Sequence, residues 1–551
     1  MFGERGPAPP GVAGAARNCW RQEELAQTRP ALAEDTSADV CVVGGGLSGL
    51  TTALICAKAG LSVVLLESRA VGAGMSGRSS GAAAAWDPAL LSRVEARHGA
   101  AAARAVVAAR CEALRWVGGA VKEESITCDY SEVPALLMGD GADAEKELAA
   151  CLSAGLPQPA AGAGAAGGAL PPHGARLRPV GGAAARLDPV RYAQGLAAAL
   201  ERHGGRIFEG TRVKSGPFTI SGKAVTLATN STDGPSVRAA RGILPPGGGG
   251  VPDALLYTPG GRHARVVPGA GGPLLLVGGG DSDHVVGQMR ERYADKDPYA
   301  ALEAWARTAF PAAGRAAQRW SSVSALVSCA PGHTLGLYGV NPLDVGSPKT
   351  RLITGNGGDS VVGAALGGLA VAGDILGAPL RWAPVFEPSR LRSLANLGSL
   401  SDLATEIGLN VRGYARILMP TCWRDVQGLV APGSVERAVA PGDGQVVQEG
   451  LRKVALYRDD AGTLHRRSAL CPHMHVLVQW NPLAIAATFN RLYPLRKPYR
   501  NPFFNPHRPG HGSVFDACGR CVSGPSSRDL EDLGWRRETE GRGEGGGSLV
   551  K

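Results

Sequence analysis

The chain has 551 residues, with 58 Lys and Arg against 48 Asp and Glu and a formal net charge of +10. That length exceeds one ordinary core, so two or three domains are expected, and the 79 Gly and 39 Pro point to flexible insertions between packed segments. The basic excess is spread thinly and argues for solubility rather than a polyanionic partner. Eleven cysteines in no regular framework argue against a secreted disulfide protein, and no uninterrupted apolar run offers a membrane span. The expected setting is therefore a reducing, intracellular compartment, cytoplasmic or organellar.

Residues 1–35 read as an N-terminal extension. Arg5 and Arg17 against the single acid Glu4 give a weak transit-peptide signal, with no apolar h-region behind it. The first strong pattern is "ADVCVVGGGLSGLTTALICAKAGLSVVLLESRA". Asp39 to Val43 is an apolar run suited to a buried parallel strand, and Gly44, Gly46 and Gly49 then give the spacing G-x-G-x-x-G. Gly44 permits the tight turn, Gly46 lets backbone approach a pyrophosphate, and Gly49 lets a helix pack on the strand. The helix itself is expected from about Gly49 to Lys58, with Gly60 closing it as the C′ residue. A second strand, "LSVVLLE", ends in Glu67, at the distance where an acid meets a ribose hydroxyl. Strand, turn, helix, strand and acid in that order predict a dinucleotide site.

Directly after the acid, "GAGMSGRSSGAA" places Ser76, Gly77, Arg78, Ser79 and Ser80 in a second small, polar, cationic loop. Farther on, "LITGNGGDSVVGAALGGLAVAGDILG" reads as strand, a glycine turn at Gly355 and Gly357, and a small-residue helix whose N-terminus can also face a cofactor. Together these segments resemble the D-amino-acid-oxidase-like family of FAD-dependent oxidoreductases, which includes glycine and sarcosine oxidases. The resemblance extends to "LDPVRYAQGLAAALERHGGRIFEGTRV" and "VTLATN" and covers most of residues 36–380.

It implies an α/β fold, a Rossmann-type FAD-binding domain with an interleaved antiparallel substrate domain. The flavin domain would come from about 36–110, 185–235 and 340–380, with the substrate domain between. "PLLLVGGGDSDHVVGQ" and "RWSSVSALVSCAPGHTLGLYG" would line the substrate side of the flavin. His284 is then the candidate for a pocket residue, the alternative being a histidine paired within a loop. Two low-complexity stretches, "AAGAGAAGGALPPHGA" and "RGILPPGGGGVPDALL", depart from the family pattern.

After a linker at 381–420, Val446 to Val447, Arg452 to Arg458 and Leu464 to Ala469 read as short strands, with "RDDAG" as a hairpin turn. With "CPHMHVLVQW" and "HGSVFDACGRCVSGP", residues 421–530 resemble a Rieske [2Fe-2S] domain, a small all-β module, followed by a flexible tail at 531–551. The resemblance implies C-x-H followed by C-x-x-H, two thiolates on one iron and two imidazoles on the other. Cys471 and His473 match the first pair and His511 the last position, but Arg508 stands where the second cysteine belongs. A guanidinium cannot ligate iron. The positions of the family's accessory disulfide are Val476 and Gly510, and the ligand loop is about twice the family length.

Cys518 and Cys521 could join Cys471 and His473 as a Cys3His zinc set, the competing reading being structurally inert thiols. The inserted segment 484–506 and its flanks interleave Arg491, Arg496, Lys497 and Arg500 with Phe489, Tyr493, Tyr499, Phe503 and Phe504. That mixture can stack single-stranded nucleic acid, but its broken, unperiodic character favours an acquired or non-coding insertion, so no nucleic-acid partner is expected. The implied function is oxidation of a small amine or amino-acid-like substrate by hydride transfer to FAD, with an unidentified electron acceptor and an incomplete cluster site. The alternative is an inactive, flavin-binding protein with a degenerate Rieske domain.

Overall fold

Val40–Val43 is apolar at every position because it runs through the middle of a six-stranded sheet, flanked by Val63–Leu66 on one side and Ala224–Leu227 on the other. The structure, a computed structural model, describes residues 20 and 28–393, with breaks at 87–89, 140, 157–176, 182, 214–219, 222–223, 228–235, 244–250, 269–271, 280–297, 312, 314–315, 324–334, 342–349 and 356–360. It also describes 432–481, with breaks at 442, 451, 460, 471 and 473–477, together with 503–506, 514–515, 519, 521–523 and 530–536. Two compact units emerge, Ala16–Gly408 and one that includes Leu409–Lys551.

In the larger unit the six-stranded sheet has the order Leu337–Val340, Thr350–Thr354, Ala224–Leu227, Val40–Val43, Val63–Leu66, Arg206–Phe208. All neighbours are parallel except the first two, which form a hairpin. Helix α1, Leu47–Lys58, buries Leu47, Leu50 and Leu54 against this sheet, each such side chain contributing roughly 1.5–3 kcal/mol. Gly60 ends it with φ of +86°, its N–H bonded to Ala57 O, as the sequence predicts. Beyond α2 (Leu90–Glu123) and α3 (Ala142–Ser153) comes α4, Pro189–Arg202, capped by the Asp188 carboxylate on the N–H groups of Val190 and Arg191.

A seven-stranded sheet follows the order Ala316–Val323, Ser236–Ile243, Leu274–Gly278, His263–Val267, Leu255–Tyr257, Ala135–Met138, Leu177–Val180. It is antiparallel apart from the pairing of Leu255–Tyr257 with Ala135–Met138. The two-residue period sorts its faces. Leu136, Leu256, Ala264, Leu275 and Val277 pack with Leu302 and Ala306 of α5 (Pro298–Ala309) and with Phe310 just beyond it. Val267, Leu274 and Leu276 pack on the other face with Trp20 and Val190. A further helix, α6 (Val362–Ile375), approaches α1 so closely that a methyl at Gly368 would lie 2.5 Å from the Thr51 side chain.

In the smaller unit, Gly444–Glu449, Arg452–Arg458, Leu464–Ser468 and Asp532–Arg536 form one antiparallel sheet around Val447, Val454, Leu456 and Leu464. The three strands expected in this stretch are present, two of them with shifted ends. Arg458 is buried and donates to the carbonyls of Val439, Gly462 and Glu436. A second sheet holds Val478–Asn481, Phe503–Pro506, Val514–Phe515 and Cys521–Ser523. The last residues of the segment read as an insertion, Phe503–Pro506, thus form a ladder with Val478–Asn481. Among the described residues, no helix is long and apolar enough to cross a membrane.

Candidate FAD site

Gly44 and Gly355 follow the carboxyl ends of two parallel strands, the edge at which a sheet of this kind forms its ligand crevice. Val43, Leu227 and Leu352 lie level across the sheet, so Gly44 and Gly355 emerge at the same edge. Gly44 has φ of +111° and Gly355 of +74°, backbone that favours glycine. The N–H of Gly44 is bonded to Leu66 O at 2.8 Å, which fixes the turn on the neighbouring strand. A methyl at Gly49 would lie 2.0 Å from Gly44 O, so that glycine is what lets α1 close on the strand.

Gly46 differs in kind. Its backbone is extended, with φ of −81° and ψ of 176°, a conformation open to any residue. A methyl there would meet nothing within 4 Å except Ser76 Oγ, at 3.1 Å. The fold does not need glycine at this position, and the space left beside the α1 N-terminus fits a pyrophosphate.

The loop after Glu67 wraps this turn. Ser76 begins a single helical turn, Ser76–Arg78, and its Oγ accepts the N–H of Leu47 at 3.0 Å. That bond, from a residue 29 positions away, is why α1 starts at Leu47 instead of the expected Gly49. Gly77 donates to Gly72 O, and Gly72 donates to Gly45 O. Ser79 Oγ accepts from Gly81 N at 3.0 Å. Burial, and then the charge of Arg69, pushes the partly buried Arg78 guanidinium down to about 10. A nearby anion would offset both effects.

Glu67 does more than the sequence suggests. Its Oε2 accepts from Gly45 N at 2.7 Å, and its Oε1 accepts from Arg69 N at 2.8 Å and Ser68 Oγ at 3.1 Å. A carboxylate has about four lone-pair sites, so acceptor capacity remains for ribose hydroxyls.

The structure therefore brings together Gly44, Gly46, Gly49, Glu67, Ser76, Gly77, Arg78 and Ser79, with Gly355 at the same edge. Gly357, His284, Cys471, His473, Arg508, His511 and Cys518 lie outside the described residues, and Cys521 is described only as backbone in its strand. On the seven-stranded sheet, the face turned away from α5 carries Tyr257, His263 and Arg265. Trp86 packs edge-on against Tyr257 with ring centroids 5.3 Å apart and donates its indole N–H to the buried Glu147. The His263 imidazole is held down to about 4 by burial and the Arg265 charge, so it is neutral at ordinary pH. Sequence reasoning missed this aromatic group because its members are dispersed and carry no motif.

Residues 39–373 match the DAO family, described as FAD dependent oxidoreductase, and the chain belongs to that family. It is an FAD-dependent oxidoreductase. Among curated relatives, it is 22% identical over 554 residues to the Bacillus subtilis protein YhfW, provisionally named a Rieske 2Fe-2S iron-sulfur protein, across 94% of this chain and 98% of the relative. It is 37% identical over 99 residues to gamma-glutamylputrescine oxidoreductase of Escherichia coli, covering 18% of this chain and 23% of that protein. Among solved structures, L-amino acid deaminase from Proteus myxofaciens superposes with a TM-score of 0.50 at 15% identity, over 69% of this chain and 98% of that one, a likeness of fold.

Glu67→Ala is expected to weaken FAD binding by about 1.5–3 kcal/mol, the worth of a hydrogen bond to a charged group, with the fold retained. Isothermal titration of the cofactor-free protein reads this directly. Unchanged affinity would leave Glu67 with the turn-shaping role alone.

Proposed function

We propose that the chain oxidises a small amine or amino-acid-like substrate. The observation that carries this reading is the family match spanning Gly44, Gly355 and the sheet beside them, supported by the amine-substrate name of the Escherichia coli relative. Gly44, Gly46 and Gly49 with the α1 N-terminus would hold the pyrophosphate, Glu67 the ribose, and Ser76, Gly77, Arg78 and Ser79 the flanking loop. Gly355 and Gly357 would close the far side.

FAD held by these residues would supply a two-electron acceptor for the carbon that bears the amine, and water would hydrolyse the resulting imine to a carbonyl and free ammonia or amine. The protein's part is to bind, orient and exclude water. Tyr257, braced by the buried Trp86 ring, would offer an aromatic face to an amine, and the neutral His263 could accept a hydrogen bond from it. His284 remains the sequence-based pocket candidate.

Residues 421–530 form a Rieske-like electron-transfer domain in this reading, behind a linker at 381–420. Its donor set, Cys471, His473 and His511 with Arg508 in the fourth place, is one thiolate short and does not fit a [2Fe-2S] cluster. No step runs through such a cluster here, and oxygen or another acceptor takes the electrons. An intracellular location, cytoplasmic or organellar, accords with Cys41, Cys56, Cys111, Cys128 and Cys151 being unpaired thiols.

The test is product formation. Incubation with a panel of amines and amino acids and an artificial acceptor should release a carbonyl product from at least one of them, and release from none would defeat the reading.

A further inference from the structure

The N-terminal extension reaches the cofactor loop at two separate points. Trp20 is buried, and its indole Nε1 donates to Ser79 O at 2.8 Å, at the end of the loop that begins after Glu67. Its ring lies under the Arg265 guanidinium at 5.3 Å and packs with Val190, Val267, Leu274 and Leu276. Arg265 in turn donates to Leu187 O at 3.1 Å.

The second point is Glu209, whose carboxylate is fully buried. Its Oε2 accepts from the backbone N–H groups of Thr28 at 2.7 Å and Arg29 at 2.9 Å, and its Oε1 accepts from Val71 N at 2.7 Å. Arg29 adds an ion pair at 3.6 Å. Val71 precedes Gly72, which bonds to Gly45 O and accepts from Gly77. Both anchors therefore act on the stretch from Ala70 to Ser79 that wraps the glycine turn.

We propose that Trp20, Thr28 and Arg29 form a strap which, through Ser79 and Glu209, holds the 70–79 loop in its cofactor-receiving shape, making Trp20 and Glu209 positioning residues for FAD. Neither residue needs to touch the cofactor. A loop already fixed before binding loses less freedom when the cofactor arrives, so the strap shows in affinity more than in fold. The inference rests on the FAD site described above.

The test uses the full chain with Trp20→Phe, Glu209→Gln and the double variant. Phenylalanine keeps most of the packing and removes the indole donor. Glutamine keeps one acceptor oxygen, so its NH2 group must face N–H donors on the other side, Val71 in one orientation and Thr28 and Arg29 in the other. Three quantities are read: the FAD dissociation constant, the melting temperature of the cofactor-free chain, and hydrogen exchange at the Val71, Gly72 and Gly77 amides without cofactor.

Each single variant should bind FAD roughly tenfold more weakly. Exchange at those amides should be faster, and the melting temperature should stay within a few degrees of the parent. The double variant should lose less than the product of the single losses, because both act on one loop. Unchanged FAD affinity overturns the inference, whatever the exchange shows. So does an affinity loss that merely tracks a lower melting temperature, since that marks a structural role only. If the parent chain itself retains no FAD, the cofactor site falls, and unchanged exchange in both variants would overturn the strap separately.

Discussion

Gly46→Val should yield a folded chain that no longer retains FAD. The extended backbone at Gly46 suits a β-branched residue. A Cβ there would meet only Ser76 Oγ, a hydroxyl that can give by a few tenths of an ångström. What it fills is the space beside the α1 N-terminus, where the pyrophosphate must come within hydrogen-bond reach of the backbone. Flavin absorbance per mole of protein after gel filtration should therefore drop to background, with the melting transition preserved. Gly49→Ala is the useful contrast. Its methyl would collide with Gly44 O at 2.0 Å, so that variant should lose flavin and fold together. Flavin retained undiminished in Gly46→Val would remove the pyrophosphate from this position.

The unmodified chain should show no Rieske signal in electron paramagnetic resonance after anaerobic reconstitution and dithionite reduction. In the proposed Rieske-like reading, two imidazoles and one thiolate would leave one iron a ligand short, and Arg508 would put a positive charge in place of the second thiolate. A variant with Arg508→Cys and residues 484–502 removed keeps the paired strand Phe503–Pro506 and restores the ligand set over a shorter loop. The signal is expected in that variant only. A signal in the parent that disappears with Cys518→Ser or Cys521→Ser would instead identify a substitute ligand.

The glycine turn was legible in the sequence because its determinants are local. Gly44 and Gly60 adopt the positive φ their positions call for, and the strands Val40–Val43 and Val63–Leu66 fall within two residues of where apolar runs place them. What escaped is non-local. The start of α1 depends on Ser76, the turn-shaping bond of Glu67 on Gly45, and the seating of Trp20 on Ser79 and a sheet some 245 residues away, and no periodicity encodes such partners. The extension at 1–35 read as an appendage because small and polar residues dominate it. Its one described aromatic, Trp20, is buried nonetheless.

Anaerobic mixing of the FAD-loaded protein with amines and amino acids tests the oxidoreductase assignment most directly. At least one compound should bleach the visible absorbance of the oxidised flavin in a saturable way, and admitting oxygen or an artificial acceptor should restore it. If dithionite bleaches the flavin readily while every amine and amino acid leaves it unchanged, the protein binds FAD without oxidising this class of substrate, and the proposed reaction is wrong.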